Sequence, residues 1–209
     1  MNNSILKTMR SVDLVSELLS GVLAGLFTAA MPFILFCGLS AHAAPAEVLI
    51  IRHAEKPAQG NHLNDRGQQR AQALVPFFET NPSVLDFGVP VAIYASSPKD
   101  SSGSYRAIET VEPLAAGLKI SINEDYTKKD YDQMITEIIS DKDYNGQSVL
   151  ISWEHNKIPD IVKAFGWESA PDTWDDDVFD RVWILKFVGN QVISFKNIPQ
   201  HILPGDDVN

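Results

Sequence analysis

The sequence predicts an α/β protein, a three-layer α/β/α sandwich whose mostly parallel sheet carries a C-terminal β-hairpin at one edge. Three observations predict it. Short continuous apolar runs recur at 48–51, 91–95 and 148–152, as expected of strands buried on both faces. Between them lie segments whose apolar residues repeat at three and four, the spacing of a helix with one buried face. The tail breaks this alternation, with two strand-like runs split by Gly189-Asn190.

Each element has a local reason. Val48-Leu49-Ile50-Ile51 is the first strand. Asn64-Asp65 offers an N-cap to a helix carrying Ala71, Leu74, Val75 and Phe78 on one face. Pro76 within it implies a kink or an early end. Val91 to Ala95 is the second strand, followed by a helix from Ser104 to Ala116 and a short strand over Lys119 to Ile122. Asp130 to Ser140 reads as a helix burying Tyr131, Met134, Ile135 and Ile138, which leaves Gln133 and Glu137 on its exposed face. Ser148 to Ser152 is a strand, and Pro159 to Phe165 a helix closed by Gly166. Val182 to Val188 and Gln191 to Phe195 form the hairpin. Strands alternating with helices make parallel β-α-β units, and in such sheets ligands bind beyond the carboxyl ends of the strands.

Composition narrows the partners. Asp and Glu outnumber Lys and Arg 27 to 17, a net charge of −10, so nucleic acid, which calls for a basic face, is not an expected partner. The front of the chain differs from the rest. Lys7 and Arg10 precede a stretch from Gly21 to Ala41 without a charged residue, which ends in Ala41-His42-Ala43. Positive start, apolar middle and A-x-A end read as a signal peptide over 1–43, leaving one domain at 44–209 in the periplasm or secreted. Cut there, the domain has no membrane partner; left uncut, the leader is a membrane anchor. The single cysteine, Cys37, lies in the leader, so the domain can hold neither a disulfide nor a cysteine zinc site.

The strand ends carry the chemistry. The first strand runs into Arg52-His53-Ala54-Glu55, the second through Ser96-Ser97-Pro98 toward Arg106, and the third into Trp153-Glu154-His155. Two arginines and two histidines are thus delivered to one edge of one sheet. Guanidinium forks match phosphate oxygens, and imidazole is a nucleophile at neutral pH once its other nitrogen is held. No Gly-rich phosphate loop is present. His53, Glu55, His62, Glu154 and His155 could be drawn as a metal site, but their spacing matches no helix-borne ligand motif and the arginines would repel a cation. No metal is expected. Arg66, at the start of the first helix, reads as structural. Asp175, Asp176, Asp177 and Asp180 lack the ligand alternation of a calcium loop and read as an acidic surface loop.

Taken in order, Arg52-His53-Ala54-Glu55, Leu63-Asn64-Asp65-Arg66-Gly67 with Arg70-Ala71, Ser96-Ser97-Pro98 with Arg106-Ala107 and Glu109-Thr110, and His155 after an apolar strand resemble the histidine phosphatase superfamily, branch 1. The resemblance spans Glu47 to Trp167 and implies the phosphoglycerate mutase-like fold. It implies that His53 is the nucleophile that becomes phosphohistidine, that Arg52 and Arg106 bind the phosphoryl group, and that His155 donates to it. It implies no metal and no organic cofactor. Ala54 stands where the family commonly has glycine, and Lys99 to Gly103 lengthen the connection that precedes Arg106. The proton donor falls to Glu124, after the short third strand, with Glu154 as the alternative. The expected activity is hydrolysis of a small phosphorylated substrate, a phosphomonoester. A catalytically silent phospho-ligand-binding domain and a phosphomutase are the alternatives.

Overall fold

The computed structural model describes residues 44–100 and 103–206; the expected leader over 1–43 lies outside them, as do Ser101 and Ser102. The chain runs β1 (Glu47–Arg52), α1 (Asp65–Thr80), β2 (Ala92–Ala95), α2 (Arg106–Leu118), β3 (Ile122–Asn123), α3 (Tyr131–Ser140), β4 (Ser148–Trp153), α4 (Ile158–Ala164), β5 (Arg181–Val188) and β6 (Gln191–Pro199). All six strands form one sheet in the order β3-β2-β4-β1-β5-β6. β1 pairs in parallel with β4, β4 with β2 and β2 with β3, while β5 and β6 are antiparallel. The fold is the expected α/β sandwich with its hairpin at one edge.

Alternation along β1 builds the layers. Val48 and Ile50 face a core shared with α3 and α4, through Met134, Ile138, Ile161 and Val162. Leu49 and Ile51 face the opposite core, against Leu74 and Phe78 of α1 and Val111 and Leu114 of α2. All four β1 residues are wholly buried, and each contributes roughly 1.5–3 kcal/mol of hydrophobic stabilisation. Among the described residues, no helix is long and apolar enough to cross a membrane.

The elements depart from the sequence expectations in four places. α1 neither kinks to a stop nor ends at Pro76 but continues to Thr80. Pro76 lies on the exposed side, where water can take up the carbonyl that a missing N–H leaves free, and its own carbonyl accepts from Thr80 Oγ1 at 2.7 Å. The strand expected over Lys119 to Ile122 is only Ile122–Asn123, because Lys119 turns left-handed (φ 60°) to close α2. β6 extends past Phe195 to Pro199. Glu137 is half-buried rather than on an exposed face: it accepts from Tyr94 Oη (2.7 Å), Asn123 Nδ2 (3.0 Å) and the Tyr126 hydroxyl.

Candidate active site

β1 ends at Arg52, and the His53 N–H still donates to the Trp153 carbonyl of β4 at 2.9 Å. Both side chains emerge at the sheet's carboxyl edge almost without exposure, where a guanidinium must find partners. Arg52 Nη1 donates to the carbonyls of Asp175, Asp176 and Val178 at 3.1, 2.9 and 2.9 Å. The Phe179 ring lies 3.8 Å from the guanidinium carbon, and Nη2 faces His155 Nδ1 at 3.3 Å. Nε, by contrast, is buried with no partner. Leaving a buried donor unmet costs about 1–3 kcal/mol, which an anion in the site would relieve. Burial lowers the Arg52 pKa to about 10, against the pull of Asp176 and Glu55, so the group is charged at neutral pH.

His53 is held in one tautomer. Its Nδ1 lies 2.7 Å from the Ala54 carbonyl; a carbonyl only accepts, so Nδ1 carries the proton and Nε2 keeps its lone pair. Burial, reinforced by the charges of Arg52 and Arg106, depresses the pKa to about 3. The imidazole is therefore neutral throughout the physiological range. The Ala54 N–H donates to Thr110 Oγ1 (2.8 Å), which donates to the Arg106 carbonyl (2.6 Å). One threonine thereby couples the His53 loop to the first turn of α2.

Arg106 is the first residue of α2, so the run at 99–103 does not shift it into the helix. Asn61 pins the end of that run, donating through Nδ2 to the Gly103 carbonyl (3.0 Å) and accepting from the Tyr105 N–H (2.9 Å). Gly103 folds so close to Pro98 that an added Cβ would come within 2.6 Å of its ring. The Arg106 guanidinium donates to the carbonyls of His62 (3.3 Å) and Gly60.

His155 follows β4 with its ring centroid 6.4 Å from that of His53 and nearly perpendicular. Its Nε2 lies 2.6 Å from Asp176 Oδ1. Burial and Arg52 lower its pKa, opposed by Asp176. The two expected acids are placed differently. Glu154 lies on β4's exit, one strand from His53, and pairs with Lys128 at 3.3 Å. It lines a cavity of about 410 Å³ with Ser96, Ser97, Pro98, Thr127 and Asp130. Glu124 is exposed after β3, at the sheet's far edge, three strand spacings or about 14 Å of backbone from β1.

The neighbouring charges are structural. Glu55 accepts from Arg70 Nη2 (2.8 Å) and Arg66 Nε (3.0 Å), and Arg70 also binds Asp206 at 2.7 Å. Burial alone would lower the Arg70 pKa; the bonds to Asp206 and Glu55 more than reverse it. A second cavity of about 690 Å³ is walled by this paired cluster together with Phe179. His62 is taken by Glu109 at 2.5 Å. Glu55 and His62 are thus committed to other partners than a shared cation.

The segment read as an acidic surface loop does expose Asp175, Asp176 and Asp177, and its backbone carbonyls also pack on Arg52. Trp174 is buried against Trp183, with ring centroids 4.9 Å apart, and its Nε1 donates to the Val178 carbonyl at 2.8 Å. That fold aims three carbonyls at Arg52. Phe179 was not singled out from sequence, while Asp176 entered only as a surface-loop carboxylate and Thr110 only as part of the Arg106 motif. The available signal was Trp174 and Phe179, two large aromatics inside a stretch otherwise suited to water. Together Arg52, Arg106 and His155 surround one imidazole nitrogen with a free lone pair, an arrangement suited to binding a phosphoryl group and attacking it in line.

No protein-family model matches the chain, and no curated protein matches it by sequence. Solved structures do match by fold. The protein histidine phosphatase SixA complexed with tungstate aligns at TM-score 0.50 and 13% identity, over 74% of this chain and 97% of that one. The α-ribazole phosphatase from Shigella flexneri gives 0.48 and 12%, over 70% and 93%. Phosphoglycerate mutase from Bacillus anthracis gives 0.48 and 11%, over 76% and 94%. These neighbours belong to the histidine phosphatase superfamily, and the chain has the phosphoglycerate mutase-like fold.

Proposed function

We propose that this chain is a cofactor-independent phosphatase of exported phosphomonoester metabolism, working through a phosphohistidine on His53. The observation that carries the reading is a tautomer-locked His53 directly following Arg52, whose buried Nε has no partner. The phosphatase activity named for the SixA structure agrees with it. The substrate's phosphoryl oxygens are bound by Arg52, Arg106 and His155. His53 Nε2 forms a bond to phosphorus as the ester P–O bond breaks, and the leaving oxygen takes a proton. Water then attacks the phosphohistidine, the N–P bond breaks, and inorganic phosphate leaves. The leaving group occupies the cavity beside Ser96 and Thr127, and Glu154, which lines it, gives the proton. Export rests on the leader pattern at 1–43, and the mass of the mature N-terminus in cell fractions tests it.

The activity is tested with the full chain and an activated aryl phosphate in excess chelator. Phosphate release that His53→Ala abolishes supports the reading. A folded parent that releases none overturns it and leaves a silent phospho-ligand-binding domain.

A further inference from the structure

We propose that Asp176 is a positioning residue for the reaction, holding His155 by its outer nitrogen so that the inner one can donate a proton to the transferring phosphoryl group. The inference rests on the phosphatase reading above and adds a residue to it.

The geometry begins with the His155 ring. Nδ1 faces Arg52 Nη2 at 3.3 Å, and a guanidinium only donates, so in the free site Nδ1 is the acceptor. The neutral ring therefore carries its proton on Nε2, which donates to Asp176 Oδ1 at 2.6 Å. In the proposed reaction the nitrogen turned toward Arg52 is the one that meets the phosphoryl group that Arg52 binds. The nitrogen turned away belongs to Asp176.

This tautomer cannot donate to a phosphoryl oxygen from Nδ1. Donation requires a second proton on the ring, giving an imidazolium whose Nε2–H stays on Asp176. A dianionic phosphoryl group favours that change, since its charge opposes the repulsion by Arg52 that disfavours the imidazolium in the free site. The charged groups acting on the ring are Arg52, Lys56 and Asp176, with His53 opposite. Asp176 supplies the carboxylate among them. An aspartate behind a histidine that becomes charged in the reaction serves the same purpose in serine hydrolases.

Asp176 is also fixed from a second direction. Its carbonyl accepts from Arg52 Nη1 at 2.9 Å while its carboxylate holds His155. Asp175 Oδ1 accepts from the Asp177 N–H at 3.0 Å and tightens the turn between them. One residue thus sets the spacing of the two groups that must close on the same phosphoryl oxygens. The carboxylate is 85% exposed, so water can replace part of its effect. The loss on removing it is accordingly far smaller than for a buried triad aspartate, roughly tenfold rather than ten-thousandfold.

The test compares Asp176→Asn and Asp176→Glu with the parent full chain, using p-nitrophenyl phosphate from pH 4 to 9. The expected result is a kcat lowered roughly tenfold in Asp176→Asn with KM changed much less. The basic limb of kcat moves to lower pH, and Asp176→Glu recovers most of both. Parent-like kcat and pH limb in Asp176→Asn overturn the proposal. So does tighter inhibition by inorganic phosphate with raised turnover, which makes Asp176 a competitor for the phosphoryl seat. Both leave the phosphatase reading standing if turnover still depends on His53. A folded parent without His53-dependent turnover overturns the two together.

Discussion

His53 and Arg52 are adjacent in sequence and are solved by opposite means. The histidine is kept neutral by burial and by the cations around it, while the arginine is kept charged and supplied with backbone carbonyls. In the proposed reaction the first removes any cost of deprotonating the nucleophile, and the second leaves a fixed donor for the group to be attacked. Their place at the end of a buried strand was legible, because a charged pair directly after a continuous apolar run marks the strand's exit. Which carboxylate borders a cavity was not legible, since that depends on how the loops beyond the strands fold. Here Glu154 borders the cavity proposed to take the leaving group, and Glu124 stands on the far strand's exit. Glu154→Gln should therefore slow an alkyl phosphate by 10²-fold or more, on the order of a general acid's contribution, and slow p-nitrophenyl phosphate much less. Glu124→Gln should slow neither. The reverse pattern in paired kcat/KM measurements would return the role to Glu124.

Secondary-structure elements place these residues through a few close contacts. Gly67 on α1 packs so tightly on the loop after His53 that a Cβ would lie 2.3 Å from the Glu55 carbonyl oxygen. Backbone cannot yield as a side-chain tip would. Gly67→Ala should cost roughly 1–3 kcal/mol and lower kcat, because the shift passes through Glu55 to Ala54 and His53. Denaturant unfolding with parallel kinetics reads both, and an unchanged midpoint would deny the contact its importance. Periodicity revealed α1 to α4 and the buried strands because burial on a fixed face imprints a repeat. It could not reveal the Trp174–Asp180 wall, whose work is done by main-chain carbonyls that no side-chain pattern encodes. It also misjudged Pro76, since a proline's cost depends on whether water reaches the carbonyl it leaves free.

Across the whole molecule, the sheet separates chemistry from stability. The carboxyl edge holds the donor pocket, and the opposite edge begins with Glu47, fully buried at the start of β1. Burial raises its pKa to about 7, against the pull of Lys186. A folded pKa above the unfolded 4.5 means a contribution fully present below pH 4.5 and lost as pH rises through about 7. Glu47→Gln should raise stability at pH 8 by roughly 1–3 kcal/mol and change little at pH 4, as measured by urea unfolding at both. Equal effects at the two pH values would contradict the buried protonated state. The layer order and hairpin edge were legible at this scale, because alternating strands and helices admit few topologies. The −10 charge says nothing of the arginines gathered near His53. The central claim is a covalent phosphoryl group on His53, and the most direct measurement is to quench turnover in base and map the bound phosphate by mass spectrometry. The account predicts an acid-labile phosphate on His53 that is absent in His53→Ala. Turnover by the parent with no phosphate on His53 would contradict it.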